Sequence, residues 1–481
     1  MIKNIFLLTQ GTSKFKHGLR SLSTLRSTAP ATTFHSDMPE TDFIPPNYKG
    51  PSYEDIQRLR KQNLTANHQT TTYYKTPLLI HSGHMQWLFD HTGRRYLDMF
   101  AGIVTVSVGH CHPRFEEAND LAMLLARLHS GNYDILSLRN SYHGMSPSTM
   151  GLTAHSTWRY PVPGINSGVH HVMNPNVYLG IWGGSNCRDS PVQTLRKCDC
   201  DSKECEASEQ YYKQLEQVFR FSLPRGRVAG FFAESIQGVG GVVQFPKGYI
   251  KKATNLVRAN GGVYIADEIQ SGFGRTGDHF WGFESHDVVP DIVTMAKGIG
   301  NGFPLAAVVT TPKISESLGQ ALHFNTFGGN PLACAVGISV LDVIEEEGLQ
   351  KNALEVGTYL LKGLAELRER YPIIGDVRGK GLMIGIELVS DPETKTPLSV
   401  PHVIDIWEQC KDLGVLIGRG GINGNVFRIQ PPLYADYTLD VLETIVLRYH
   451  SKKQRSFHRN IDPTQNINNN ESRSEESIEK Q

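Results

Sequence analysis

No apolar run in this 481-residue chain approaches 18 residues, so nothing in it reads as a membrane-spanning helix. Excess charge is missing too: 48 Lys and Arg face 48 Asp and Glu, which removes any net field toward nucleic acid or anionic lipid. Cysteine is sparse, and seven of them, an odd number, do not make a disulfide framework in a chain this long. Four lie close together as Cys187 and then Cys198-x-Cys200-x4-Cys205. That spacing matches no usual zinc pattern and encloses no His, so reduced thiols on an excursion loop and no metal site are expected. His110-Cys111-His112 likewise reads as a turn. Acids are absent before Asp37, while Lys3, Lys14, Lys16, Arg20 and Arg26 stand among Ser and Thr. This composition predicts a mitochondrial transit peptide over residues 1–37 and a location in the matrix. Apolar residues nearly vanish after Lys452, so residues 451–481 are expected to be a disordered tail.

What is present is an α/β pattern. Hydrophobic residues make up 39%, enough for a sizeable core, and the length allows two or three domains. Short apolar runs recur as YDILSL (133–138), VAGFFAESI (228–236), GGVYIADEI (261–269), DIVTMA (291–296) and LAAVVTT (305–311). Several are apolar throughout, as in strands covered on both faces, and helical stretches such as Gly248 to Ala259 separate some of them. A largely parallel sheet with helices on both faces is predicted for a large domain over 113–330. Residues 331–450 read as a smaller α+β domain: a long apolar helix to about Glu347, a helix over 351–371, VRGKGLMIGIELV (377–389), a helix near 402–413, a strand at NVFRIQ and a last helix near 438–450. Residues 38–112 form a mixed N-terminal segment with a short helix around 53–62. A further helix starts near Glu116, with Ala118, Leu121, Ala122 and Leu125 on one face.

Two features one crossover apart carry the chemistry. IADEIQSGFGRTG (265–277) puts Asp267 at the end of a buried strand, and TMAKGIGNG puts Lys297 at the end of the next. The connection is long enough for a parallel pair, so both side chains fall at the carboxyl edge of the sheet, where α/β folds bind ligands. A lysine there is costly unless it pairs, lowers its pKa or bonds covalently. A Schiff base with pyridoxal phosphate, its ring nitrogen held by Asp267, is one answer. A structural Asp–Lys ion pair is the other. GFGRTG (272–277) also matches G-x-G-x-x-G, but acids precede the glycines and no apolar helix follows, which rejects a nicotinamide cofactor.

ADEIQSGFGRTG, MAKGIGNGFPLAAV, FNTFGGNPLACA and VRGKGLMIGIEL, in this order, resemble the class III pyridoxal-phosphate aminotransferases, over about Leu78 to Leu447. LDMFAGIVTVSVGHCHP (97–113), WGGSNCRDSPVQTLRKCDC (182–200) and FFAESIQGVGGVVQFPKGY (231–249) resemble the mitochondrial branch acting on alanine and glyoxylate. The resemblance implies the fold-type I architecture and a ping-pong route through pyridoxamine phosphate. L-alanine, or donors such as β-aminoisobutyrate or methylated arginines, would give their amino group to glyoxylate or pyruvate. It implies that Lys297 is the Schiff-base lysine and proton carrier and that Asp267 pairs the pyridinium. Gln270 would sit near the cofactor phenolate oxygen, Tyr142 would stack on the ring with His143 in support, and Gly144 and Glu234 would complete the cofactor set. Thr326 would reach a partner's cofactor phosphate across a homodimer, and Arg428 would clamp the substrate carboxylate. A phospho-lyase on a phosphorylated amino alcohol and a catalytically silent dimer partner are the alternatives.

Three departures from the family pattern stand out. Ser235 replaces the Pro of Glu-Pro, which predicts a looser loop there. Val239 stands where some relatives have a Glu that neutralises the substrate-clamping arginine, so Arg428 is expected to be ungated. The largest departure lies after Pro113. A few dozen residues are missing there, including the Ser-Gly turn whose amides cradle the cofactor phosphate. Only Arg114 and Phe115 join Pro113 to Glu116, a reach of about 10 Å at most. The chain is therefore expected to dock its N-terminal segment poorly, to hold cofactor weakly and to have reduced or no activity.

Overall fold

The computed structural model describes residues 41, 43–63, 74–105, 117–165, 167–198, 200, 205–323, 325–326 and 328–433. The transit peptide, the His110–His112 turn, the junction at Pro113–Glu116, the helix near 438–450 and the tail lie outside these residues.

Three sheets organise the rest. The first opens with β1 (Ile80–His84), β2 (Trp87–Asp90) and β3 (Arg95–Asp98), an antiparallel meander after helix α1 (Tyr53–Asn63). The central sheet contains β4 (Ile135–Leu138), β5 (Val169–Val172), β6 (Gly230–Glu234), β7 (Val263–Asp267), β8 (Ile292–Met295) and β9 (Ala307–Thr310) in the order β5-β4-β6-β7-β8-β9. All neighbours run parallel except β9, which lies antiparallel on the edge beside β8. The five apolar runs in the sequence thus become five of the six strands. The sixth, Val-His-His-Val at β5, carries two histidines on the opposite edge, where half-burial tolerates polar rings.

Alternation along the strands splits the core into two layers. Phe232, Ile265 and Ile292 point to one face, where Ala122, Met123, Leu125 and Ala126 of α2 (Glu117–Ser130) cover them. Phe231, Ala233, Tyr264 and Ala266 point to the other, under α3 (Glu206–Phe221) and α4 (Tyr249–Ala259). Side chains two apart on a strand share a face, so two apolar sets in one strand require helices on both sides.

Asn330 caps α5 (Pro331–Glu346), its side chain accepting from Ala333 N at 2.9 Å, with Pro331 at the first helical position. In α6 (Leu349–Arg370) the predicted stripe Gly357, Leu360, Leu361, Leu364 and Leu367 is buried. VRGKGLMIGIELV is a hairpin and not one strand: β10 (Ile374–Lys380) and β11 (Met383–Asp391) turn at Gly381, whose φ of 54° suits glycine. After β12 (Thr396–Pro397) and α7 (Val400–Asp412) come β13 (Val415–Leu416), β14 (Gly418–Gly420) and β15 (Val426–Ile429). The small sheet runs β10-β11-β15-β14. β13 leaves it to pair in parallel with β3, Val415 opposite Leu97 and Leu416 opposite Asp98. This pairing corrects the expectation of poor docking: the N-terminal meander is hydrogen-bonded to the C-terminal part of the chain.

Candidate active site

Strands β6, β7 and β8 end side by side, and their last residues meet at one edge. Glu234 closes β6 opposite Asp267, which closes β7, and Lys297 follows β8 by two residues. Asp267 is 3% exposed. Its Oδ2 accepts from Asn119 Nδ2 at 3.1 Å and from His143 Nδ1 at 2.7 Å, and its Oδ1 accepts from Ile269 N at 3.2 Å. Asn119 also donates to the His143 carbonyl at 2.8 Å, so one amide fixes both members of the pair. With Nδ1 donating, His143 Nε2 is left buried without a hydrogen-bond partner among the described residues. Sequence reasoning missed Asn119 as a site residue. Its signal was the Glu-Ala-Asn-Asp opening of α2, and the third residue of a helix gives no hint that it reaches a strand end 148 residues away.

Glu234 accepts from Gly238 N at 2.7 Å and from Tyr142 N at 3.1 Å. Burial pushes its carboxyl up to about 7; His143 pulls it down, and Asp267 pushes it up again. Tyr142 is thereby positioned through its backbone, with its ring edge-on to Trp158 at 5.5 Å. Gly144 follows with φ +121°, and a Cβ there would meet Thr149 Oγ1 at 2.7 Å, so this turn admits no side chain.

Lys297 has φ +49°, the left-handed region that few non-glycine residues occupy. Strained backbone of this kind gathers at functional sites. Burial draws its amine down to about 8, the Arg428 guanidinium adds to the effect, and Asp267 and Glu234 oppose it. Lys297 forms no ion pair among the described residues, and Asp267 gives its oxygens to Asn119, His143 and Ile269. The simple Asp–Lys ion pair that the sequence allows is therefore not formed.

Arg428 lies buried in β15. Its Nη2 donates to Gln430 Oε1 at 2.7 Å and to Gln270 Oε1 at 2.9 Å, and its guanidinium lies 5.6 Å from the Phe100 ring centroid. Gln270 thus directs its carbonyl oxygen at Arg428. Val239 borders the same corner, its carbonyl accepting from Gly421 N at 3.0 Å. Thr326 is exposed and makes no hydrogen bond to the other site residues among the described ones.

Ser235 does not loosen its loop. It is fully buried, and its hydroxyl donates to Glu268, which also accepts from Gly282 N and Phe283 N at 2.8 Å and Ser271 Oγ at 3.0 Å. Burial still raises the Glu268 carboxyl, against these donors. The glycines of GFGRTG serve packing: a Cβ on Gly277 would meet the Leu354 backbone at 2.6 Å. That close approach to α6 explains the motif without a dinucleotide.

A lysine and an aspartate fixed by two polar side chains at the carboxyl edge of a mostly parallel sheet, faced by a buried arginine from the small sheet, define a fold-type I pyridoxal-phosphate enzyme. The profile of the family described as aminotransferase class III matches residues 116–440. The mitochondrial alanine–glyoxylate aminotransferase 2 of Homo sapiens is 48% identical, with 91% of this chain and 95% of that protein covered. Among solved structures, a Bacillus anthracis aminotransferase is 28% identical with TM-score 0.71, covering 82% of this chain and 98% of its own. A phospholyase from Arthrobacter in complex with phosphoethanolamine is 28% identical with TM-score 0.71, covering 82% and 99%. The chain belongs to the class III aminotransferases, and its cofactor is pyridoxal 5′-phosphate. The 494 aligned positions with the human protein outnumber the 481 residues of this chain, so that alignment opens gaps in it. The family match begins at residue 116.

Proposed function

We propose that the chain transfers the amino group of L-alanine to glyoxylate, yielding pyruvate and glycine. The supporting observation is the edge cluster itself: Asp267 clamped by His143 and Asn119 across from a lysine whose amine is drawn down to about 8. The human relative carries both substrates in its name, and its mitochondrial label supports the matrix location that the N-terminal composition suggests. The residues present fit pyridoxal phosphate. A buried carboxylate suits a protonated ring nitrogen, and an amine with lowered pKa suits an aldehyde.

Bound pyridoxal phosphate would supply the aldehyde that takes up the amino group and a ring that delocalises the electrons freed at the substrate α-carbon. Asp267 would hold the protonated ring nitrogen through its carboxylate, which His143 and Asn119 keep in place. Lys297 would anchor the cofactor through Nζ, and the same amine would carry the proton to and from the substrate α-carbon. Arg428 binds the substrate carboxylate in bidentate fashion, exchanging the neutral Gln270 oxygen for a charged one. Tyr142 and Gly144 would line the cofactor ring, and Glu234 braces their turn. A neutral partner on Arg428, with Val239 nearby, suits two small substrates with similar carboxylates.

A homodimer is part of the reading. Thr326 would reach the partner's cofactor phosphate, and Leu322 and Leu332 on either side of it stand in solvent at 102% and 64% exposure, as an interface would use them. The phosphate turn lost after Pro113 leaves Thr326 as the main phosphate contact, so cofactor is held weakly. Incubation with excess cofactor and L-alanine alone tests the activity. Pyruvate released in proportion to chain, before glyoxylate is added, supports transamination. Inorganic phosphate from phosphoethanolamine, with no pyruvate from alanine, would establish the phospho-lyase alternative.

A further inference from the structure

Between β5 and α3 the chain makes a long excursion over residues 173–205, and the edge cluster uses none of it. The excursion is well anchored. Arg188 is fully buried and pairs with Asp376 of β10 at 2.7 and 3.1 Å, while its Nη2 also reaches the Val377 carbonyl at 2.7 Å. Ser190 donates to the Gly379 carbonyl at 2.9 Å, and Arg368 of α6 donates to the Gln193 carbonyl at 2.7 Å. The same excursion gathers four of the chain's cysteines.

The sulfurs of Cys187, Cys200 and Cys205 all lie within 4.8 Å of one another. Cys198 Sγ lies 2.9 Å from that of Cys200 and 3.3 Å from that of Cys187. Cys187 and Cys200 are 3.6 Å apart, and Cys200 and Cys205 are 4.0 Å apart. Zinc at about 2.3 Å from each of four tetrahedral thiolates sets sulfur–sulfur distances of about 3.8 Å. These four separations, 2.9 to 4.0 Å, bracket that figure, and Cys198 joins the set through Cys187 and Cys200. Disulfides would sort the sulfurs into pairs; here Cys187 and Cys200 each have three sulfur neighbours within 4.8 Å.

The backbone supplies an independent sign. Cys205 is the N-cap of the 16-residue helix α3. Glu206 N, the first amide of that helix, donates to Cys200 Sγ at 3.2 Å. Amides at a helix N-terminus favour negative charge, as four thiolates around one divalent ion would carry. For neutral thiols, weak donors and weak acceptors, such an arrangement has no electrostatic purpose. An all-sulfur set selects a soft ion and excludes magnesium or calcium.

We propose that Cys187, Cys198, Cys200 and Cys205 bind one structural zinc ion, a closed site that fastens the excursion to the start of α3. On binding, each thiol releases its proton to solvent, and four Zn–S bonds form with no change of oxidation state. The sequence spacing hid the site because Cys187 enters from a turn eleven residues upstream of Cys198. That turn is held by Asn186 at φ +67° and by Lys247 N donating to the Cys187 carbonyl at 2.8 Å.

Elemental analysis of the purified full chain tests the site, with cofactor both present and absent. About one zinc per chain in both states is expected, and stepwise mercurial titration should release it as four thiols react. Cobalt substitution should give a thiolate charge-transfer band in the near ultraviolet. Cys200→Ser should remove the ion, while Cys334→Ser, outside the cluster, should retain it. If Cys200→Ser fails to fold, the coupled thiol and zinc release from the unaltered chain still decides the matter. Chains carrying no zinc, carrying iron in its place, or showing disulfides among these four cysteines would overturn the proposal. The readout is metal content, so loss of transaminase activity does not bear on it.

Discussion

Asp267 and Lys297 differ in how the protein treats their charge. Asp267 keeps two polar side chains and a backbone amide on its carboxylate, whereas Lys297 has desolvation and Arg428 against it. Replacing Asp267 by Asn should lower the transamination rate by about 10²–10³-fold, the usual loss when one preorganised electrostatic partner is removed. Asn119→Ala removes a hydrogen bond to a charged group, worth about 1.5–3 kcal/mol, and should lower kcat more than it raises the KM for alanine. For Lys297 the folded pKa of about 8 lies below the ordinary 10.5. The unfolded chain therefore binds more protons between those values, and this group's contribution to stability rises with pH across that window. Lys297→Met should raise the Tm of the cofactor-free chain at pH 7 by about 2 °C, and the advantage should fade as pH rises from 8 toward 10.5; a gain unchanged by pH would refute the buried-charge reading. Asp267 and Lys297 were legible because each lies at the end of an apolar strand, which the residue pattern marks; Arg428 was reached only through the family resemblance. Asn119 was not, because its partners come from distant parts of the chain.

Elements were legible to the degree that one face is enough to define them. Buried strands such as β6 and β7 are apolar on both faces and stand out, while β5 at the edge hides behind two histidines. The direction of β9 left no trace, since a half-buried apolar run reads the same parallel or antiparallel. Ser235 illustrates a departure that only packing explains: its hydroxyl replaces ring rigidity with a hydrogen bond to buried Glu268. Ser235→Ala should destabilise the chain by about 1–3 kcal/mol in denaturant unfolding, the cost of leaving a buried acceptor short of a donor. The turn holding Gln270 puts its side-chain oxygen on Arg428, the proposed substrate-carboxylate clamp. Gln270→Glu would place a carboxylate against Arg428 and should raise the KM for L-alanine about tenfold or more with a smaller change in kcat. A KM unmoved by that substitution would separate Arg428 from the substrate carboxylate.

At the scale of the molecule, helix α2 settles against the central sheet and delivers Asn119 to Asp267. The groups proposed to react are therefore assembled, and under the proposed reading the phosphate is left without its cradle of amides. Such a chain should discriminate poorly between pyridoxal phosphate and pyridoxal, because the phosphate contributes little to binding. The most direct measurement is a cofactor titration with borohydride trapping and peptide mapping. The label should fall on Lys297, saturate only with cofactor in large excess, and wash out when trapping is omitted before gel filtration. Stoichiometric retention of pyridoxal phosphate through gel filtration, or a label on any lysine other than Lys297, would contradict this picture of intact chemistry with a weakened phosphate hold.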